Sequence, residues 1–240
     1  MAKTAKRSVQ TAYDDPPESL KGHPFYGLIL DDEQIILRDS IWDKSKDIIF
    51  VNARAGSGKT LISVATANLL VQYGRYEKII YICSPCGNES RMGYLPGNLT
   101  EKAEVYYEPL YSAIQTLGIN PFTAISDNSL VSQKYGEGGY IKPLTDVYLR
   151  GCNLDNAIII CDESQNFAFD IFKKVLTRVC ENTKVICIGH SAQTDLVHKE
   201  QSGFERYIAH FENKHDTRVA VCKLSTTHRS WIAEWADELN

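Results

Sequence analysis

No stretch of the 240 residues reaches the roughly 20 consecutive apolar positions that a membrane-crossing helix needs. The first residues, Met1-Ala2-Lys3-Thr4-Ala5-Lys6-Arg7, are basic, but no apolar segment follows. Nothing there reads as a secretion signal, so the chain is expected in the cytoplasm with no membrane partner. An excess of positive charge is also missing: Lys plus Arg number 26 against 30 Asp plus Glu, a net charge of −4. That balance excludes a general attraction to phosphate backbones and leaves any nucleic-acid contact to a local patch. The seven cysteines are odd in number and sit in apolar surroundings such as Ile160-Cys161-Asp162 and Ile186-Cys187-Ile188. They imply no disulfide framework and suit a reducing compartment. Internal repeats and low-complexity tracts are absent too.

What is present is an ordinary globular composition, 43% hydrophobic and 23% charged, in a length suited to one sizeable core. Residues 1–22 are polar and include Asp14-Asp15-Pro16-Pro17, which predicts a flexible arm ahead of a single domain over 23–240. Leu30 to Trp42 has helical periodicity with Asp31 and Asp32 at its start, where acids suit a helix N-terminus. Four short runs are almost wholly apolar: Asp47 to Val51, Lys78 to Ile82, Ala157 to Cys161 and Lys184 to Ile188. Strands of that kind are buried on both faces, which predicts a mainly parallel sheet flanked by helices, an α/β fold. Arg218 to Leu224 reads as a fifth strand and Trp231 to Leu239 as a closing helix, while Tyr135 to Tyr140 is too glycine-rich for a regular element.

Directly after the first strand comes Ala53-Arg54-Ala55-Gly56-Ser57-Gly58-Lys59-Thr60, followed by a helical stretch. This nearly matches the phosphate-binding pattern G-x-x-x-x-G-K-[ST], with alanine in the first place. Two glycines let the backbone curl so that successive N–H groups face an anion, and the new helix adds its free N–H groups and positive dipole end. Lys59 is then placed to reach the β and γ phosphates, and the Thr60 hydroxyl to ligate Mg²⁺. Hydrolysis needs carboxylates on a second strand. Ile158-Ile159-Ile160-Cys161-Asp162-Glu163 supplies two: Asp162 for the metal and Glu163 for the attacking water. An acidic pair opening a helix is the plainer alternative.

With these two motifs in place the chain resembles the PhoH-like ATPases, relatives of the superfamily 1 helicase core. The resemblance runs from about Gln34 to Trp235 and includes Gly93-Tyr94-Leu95-Pro96-Gly97-Asn98-Leu99, Pro143-Leu144, Leu149-Arg150-Gly151 and Asp162-Glu163-Ser164-Gln165-Asn166. Leu176-Thr177-Arg178, Gly189, Gln193, Asp195-Leu196 and Ser202-Gly203 follow in the family's order. It implies a RecA-like P-loop NTPase fold, ATP and Mg²⁺ as cofactors, a homo-oligomer such as a hexamer, and a link to RNA. Residue by residue it implies that Gln34 contacts adenine, that Gln193 senses the γ phosphate or the water, and that Gln165 couples the site to movement. An arginine finger is expected as well, with Arg229 the first choice, then Arg178 and Arg150, acting from a neighbouring subunit. His190 stands where the family has Asp, and Cys83-Ser84-Pro85 where it has Thr-Arg-Pro.

Rival readings remain. Cys83 and Cys86 form a C-x-x-C that would suit a thiol redox pair, and His190, His198 and His228 would suit a metal set. A nucleotide-binding module without turnover is a third class. The main alternative is an oligomeric RNA or single-stranded DNA helicase or translocase. At this length one RecA-like lobe is expected, so the second wall of each site would come from a neighbouring copy.

Overall fold

The computed structural model describes residues 15–84, 105–126, 139–145, 154–196 and 199–237. Arg91 to Leu99, Arg150, Cys86, His198 and most of the Tyr135 to Tyr140 loop lie outside these residues. Six strands form one sheet: β1 (Ile48–Ala53), β2 (Lys78–Cys83), β3 (Ile141–Thr145), β4 (Ala157–Asp162), β5 (Lys184–Gly189) and β6 (Val219–Leu224). Their order is β3-β2-β4-β5-β1-β6 and every pairing is parallel. The helices are α1 (Asp32–Trp42), α2 (Lys59–Gln72), α3 (Glu108–Thr116), the single turn α4 (Pro121–Ala124), α5 (Phe169–Leu176), α6 (Phe204–Glu212) and α7 (Trp231–Asp237). Among the described residues no helix is long and apolar enough to cross a membrane.

The strand alternation splits the core in two. Ile49 and Val51 of β1, Ile79 and Tyr81 of β2, Ile158 and Ile160 of β4, and Ile186 and Ile188 of β5 pack on the face covered by α1, α2 and α3. Phe50, Ile80, Ile82, Ile159, Val185 and Cys187 pack on the other, against Phe172 of α5 and Phe204 of α6. Each such aliphatic side chain, fully removed from water, contributes roughly 1.5–3 kcal/mol. Both faces being covered is why β4 reads as an unbroken apolar run. Helix α1 begins with a capping box: Asp31 accepts from the Gln34 N–H at 2.8 Å, and the Gln34 side chain accepts from the Asp31 N–H at 3.2 Å.

Two expectations need correction. The sheet has six strands, because Ile141-Lys142-Pro143-Leu144-Thr145 pairs with β2. Lys142 and Pro143 break its apolar pattern, but an edge strand has an unpaired side and tolerates a proline there. The arm expected over 1–22 is also not free at its end: Leu20 is fully buried in the core, and the Pro17 carbonyl accepts from Trp42 Nε1 and Arg75 Nη2.

Candidate functional site

The P-loop connects β1 to α2 at the carboxyl edge of the sheet. Gly56 and Gly58 take φ values of +78° and +80°, in the left-handed region where a Cβ is costly. A Cβ at Gly58 would also meet the Gln34 amide nitrogen at 2.9 Å. Lys59 opens α2 and is largely buried, with Thr60 next to it. Ser57 is wholly buried, and its Oγ has no hydrogen-bond partner among the described residues. A buried unpaired hydroxyl costs free energy, so one in a glycine turn that opens directly into the N-terminus of α2 fits an oxyanion ligand such as a polyphosphate.

Asp162 ends β4 on the same face as Ile158 and Ile160, so its side chain points toward the start of α2. Its Oδ2 accepts from Thr60 Oγ1 at 3.1 Å and from the Tyr81 hydroxyl, and its Oδ1 accepts from the Glu163 N–H at 2.8 Å. Burial pushes the Asp162 pKa above the usual carboxylate range, and the Glu163 charge adds to the rise; the Tyr81 and Glu163 N–H hydrogen bonds and Lys59 oppose it. The Tyr81 phenol is raised well above its ordinary value, first by burial and then by Asp162. A carboxylate beside a hydroxyl offers the hard oxygen donors a divalent cation takes, so the residues present fit Mg²⁺.

Glu163 follows in the left-handed region at φ +49°. Such backbone strain in a non-glycine residue clusters at functional sites. Gln165, which is buried, donates from Nε2 to Glu163 Oε2 at 2.5 Å and accepts with Oε1 from the His190 N–H at 3.0 Å. Gly189 makes room for it: a Cβ there would lie 2.7 Å from Gln165 Oε1. Since β5 stands between β4 and β1, the loop after it, with His190 and the exposed Gln193, opens at the same edge as the P-loop. Asn52 of β1 ties that loop down, donating to Ser191 Oγ at 3.0 Å and accepting from the Ser191 N–H at 3.1 Å.

The structure thus brings Lys59, Thr60, Asp162 and Glu163 together, with Gln193 on the adjoining loop. Arg54 and Ala55 complete the P-loop, Arg54 exposed and its N–H donating to the Leu224 carbonyl. Gln34 is placed differently from expectation. Its Oε1 closes the α1 cap and its Nε2 donates to the Ser57 carbonyl at 2.9 Å, so the amide clamps the P-loop. The Arg229 side chain lies over Gly56 of its own chain. Five hydrogen bonds tie down the segment before it: the His228 N–H donates to the Gly56 carbonyl, His228 Nε2 meets Asp31 Oδ2 at 2.8 Å, and Glu33 accepts from the Ser225 N–H and hydroxyl and from the Thr226 N–H. These hydrogen bonds, led by the Ser225 hydroxyl, lower the Glu33 pKa. Arg178 sits beside the Leu154 to Val179 bridge, at the amino edge of the sheet and away from the P-loop. Tyr81, Asn52 and Glu33 carry no signal in the sequence, because each acts through a partner distant along the chain.

The sequence matches the family described as PhoH-like protein over residues 30–239. A PhoH-like protein of Mycobacterium leprae is 32% identical over 191 residues, 79% of this chain and 52% of that protein. A PhoH-like protein of Bacillus subtilis is 34% identical over 161 residues, 67% and 47% of the two chains. Protein PhoH of Escherichia coli is 31% identical over 181 residues, 75% and 48%. The chain therefore spans about half the length of the curated relatives it matches. Among solved structures, the large terminase of a thermophilic bacteriophage superposes with a TM-score of 0.54 at 11% identity, covering 88% of this chain and 50% of that one. The HK97 bacteriophage large terminase gives 0.52 at 15% identity, covering 85% and 41%. These likenesses concern the fold alone.

Proposed function

Because this chain belongs to the PhoH-like protein family, we propose that it binds ATP at the Ala53 to Thr60 turn and hydrolyses it with Mg²⁺. The observation that carries the reading is the 3.1 Å hydrogen bond from Thr60 Oγ1 to Asp162 Oδ2, which joins residues 102 positions apart. By donating its proton to Asp162, the Thr60 hydroxyl keeps both oxygen lone pairs for a cation, so Thr60 and Asp162 are the residues that would hold Mg²⁺. When bound, Mg²⁺ would neutralise negative charge on the phosphates. The amides from Gly56 to Thr60 and the Lys59 ammonium bind the triphosphate. Glu163 accepts a proton from the attacking water, and Gln165 fixes the carboxylate that does so. Gln193 orients the same water, a task suited to an amide that donates and accepts without titrating. Arg229, over its own P-loop, supplies a guanidinium to charge developing on the transferred phosphoryl group.

Two variants test this. Lys59→Ala is expected to lose ATP binding, and Glu163→Gln to bind ATP normally while hydrolysing it about 10²- to 10⁴-fold more slowly. Wild-type turnover in the second variant removes the base assignment; wild-type affinity in the first removes the site.

In the same reading a homo-oligomer, a ring such as a hexamer, couples turnover to RNA or single-stranded DNA. Support for assembly comes from α7, whose Trp231, Ile232 and Trp235 are each more than 60% exposed. Large apolar side chains clustered on one short helix suit contact with another protein surface. The RNA coupling rests on the family. ATPase rates with RNA, single-stranded DNA or neither, with mass measured in the same buffer, decide both: a monomer that neither polymer stimulates ends this part.

A further inference from the structure

One side chain beside the candidate site has no part in the chemistry proposed above. Tyr81 lies in the row Ile79, Tyr81, Cys83 that β2 turns toward α2, and it is fully buried. A buried phenol must place its hydroxyl on a partner, and in a row otherwise apolar the choice is narrow. Strand pairing supplies the partner. β2 lies directly against β4 with Tyr81 opposite Ile160 and Cys83 opposite Asp162, so the long side chain reaches forward by two positions to Asp162 Oδ2.

The Asp162 carboxylate is thereby held from three directions. Tyr81 from β2 and Thr60 from α2 both donate to Oδ2, and the Glu163 N–H donates to Oδ1. Two donors fill the two lone-pair positions of Oδ2, while Oδ1 keeps one free. Of the two hydroxyls only Tyr81 comes from the sealed interior, since Thr60 sits in the partly exposed turn. Tyr81 therefore fixes the rotation of the carboxylate whatever Thr60 does when a ligand enters.

We propose that Tyr81 is a positioning residue that orients Asp162 toward Thr60 and so sets the affinity of the site for a divalent cation. This rests on the reading of Thr60 and Asp162 as the metal pair. Outer partners of this kind typically change metal affinity about 10- to 100-fold.

The test uses the full chain with Tyr81→Phe, which keeps the ring packing and removes the hydroxyl alone. Free Mn²⁺ is counted by electron paramagnetic resonance while the ADP-loaded protein is titrated, and ADP affinity is measured separately in EDTA. The expected result is about 10-fold weaker Mn²⁺ binding with ADP affinity in EDTA unchanged. In turnover assays the Mg²⁺ concentration for half-maximal rate rises about 10-fold, and the rate at saturating Mg²⁺ stays near wild type. A merely structural role would instead lower the rate at every Mg²⁺ concentration, and that outcome overturns the proposal. Mn²⁺ affinity within about twofold of wild type in Tyr81→Phe, with affinity lost in Asp162→Asn, overturns it too and leaves the metal pair standing. If Asp162→Asn also binds Mn²⁺ normally, the metal pair itself falls and this inference with it.

Discussion

Arg229 lies across the Cα of Gly56: a methyl group built there would sit 2.7 Å from both Cδ and Nε of the arginine. The contact is prepared from the other side of the P-loop. Asp31 and Glu33, at the start of α1, grip His228, Ser225 and Thr226, so the acids that favour the helix N-terminus also strap the arginine segment down. Gly56→Ala is expected to weaken ATP binding at least about 10-fold, because it adds a Cβ at φ +78° and displaces Arg229. Adding Arg229→Ala removes the collision but not the backbone strain, so the double variant regains part of the affinity in a fluorescent-nucleotide titration. Equal affinity in the single and double variants would mean that the contact has no energetic role.

The same placement predicts that Arg229 works on its own subunit's nucleotide. Arg229→Ala is expected to lower turnover by roughly 10³-fold. Mixing it with Lys59→Ala subunits, which carry an intact arginine and a dead P-loop, should restore nothing. Recovery of activity in the mixture would show that the arginine is shared between subunits.

Gln34 separates a clamp from a base reader. Both ends of its amide are engaged, one on the α1 cap and one on the Ser57 carbonyl. Gln34→Ala should cost about 1 kcal/mol of stability through the lost cap, read in urea unfolding. It should weaken ATP and GTP by the same factor. A change in the ATP to GTP preference instead would restore the adenine contact.

Gly189→Ala addresses the route from β5 to Glu163, the proposed base. The added methyl would press on Gln165 Oε1 at 2.7 Å, on its main-chain nitrogen at 3.0 Å and on Phe204 at 3.1 Å. Overpacking of that kind costs about 1–3 kcal/mol. Gln165 is also the residue that holds Glu163, so kcat should fall while KM stays near wild type. A variant that loses stability and keeps its full kcat would show that Gln165 can move without consequence for the base.

What the sequence makes legible follows from how local each signal is. The P-loop is contiguous, and β1, β2, β4, β5 and β6 are nearly unbroken apolar runs, so periodicity and spacing suffice to find them. β3 escapes because Lys142 and Pro143 interrupt the apolar run of a strand at the edge of the sheet. The partners of Asp162 and Gly56 are illegible for another reason. Tyr81 and Arg229 meet them only after β2 aligns with β4 and the chain beyond β6 folds back over the P-loop, and no spacing along the chain encodes such contacts.

Lys184 shows the same limit at the opposite edge of the sheet. As the first residue of β5 it reads as the polar flank of a strand, yet it is 1% exposed, and its Nζ donates to the carbonyls of Asp43 and Lys46. Burial lowers its pKa to about 8, against the pull of Asp43 and Asp47, from an ordinary value of 10.5. Below pH 8 both folded and unfolded chains carry the proton, and the full cost of burying the charge is present. Between pH 8 and 10.5 the unfolded chain holds more protons than the folded one, so stability rises with pH in that window. Lys184→Met has no such titration. The unfolding free energy of the wild type, measured in urea relative to Lys184→Met, should therefore increase by about 2 kcal/mol from about pH 7 to 9.5, at roughly 1.36 kcal/mol per pH unit above 8. A difference that stays flat over this range would mean that the Lys184 ammonium is as well solvated in the folded chain as in the unfolded one.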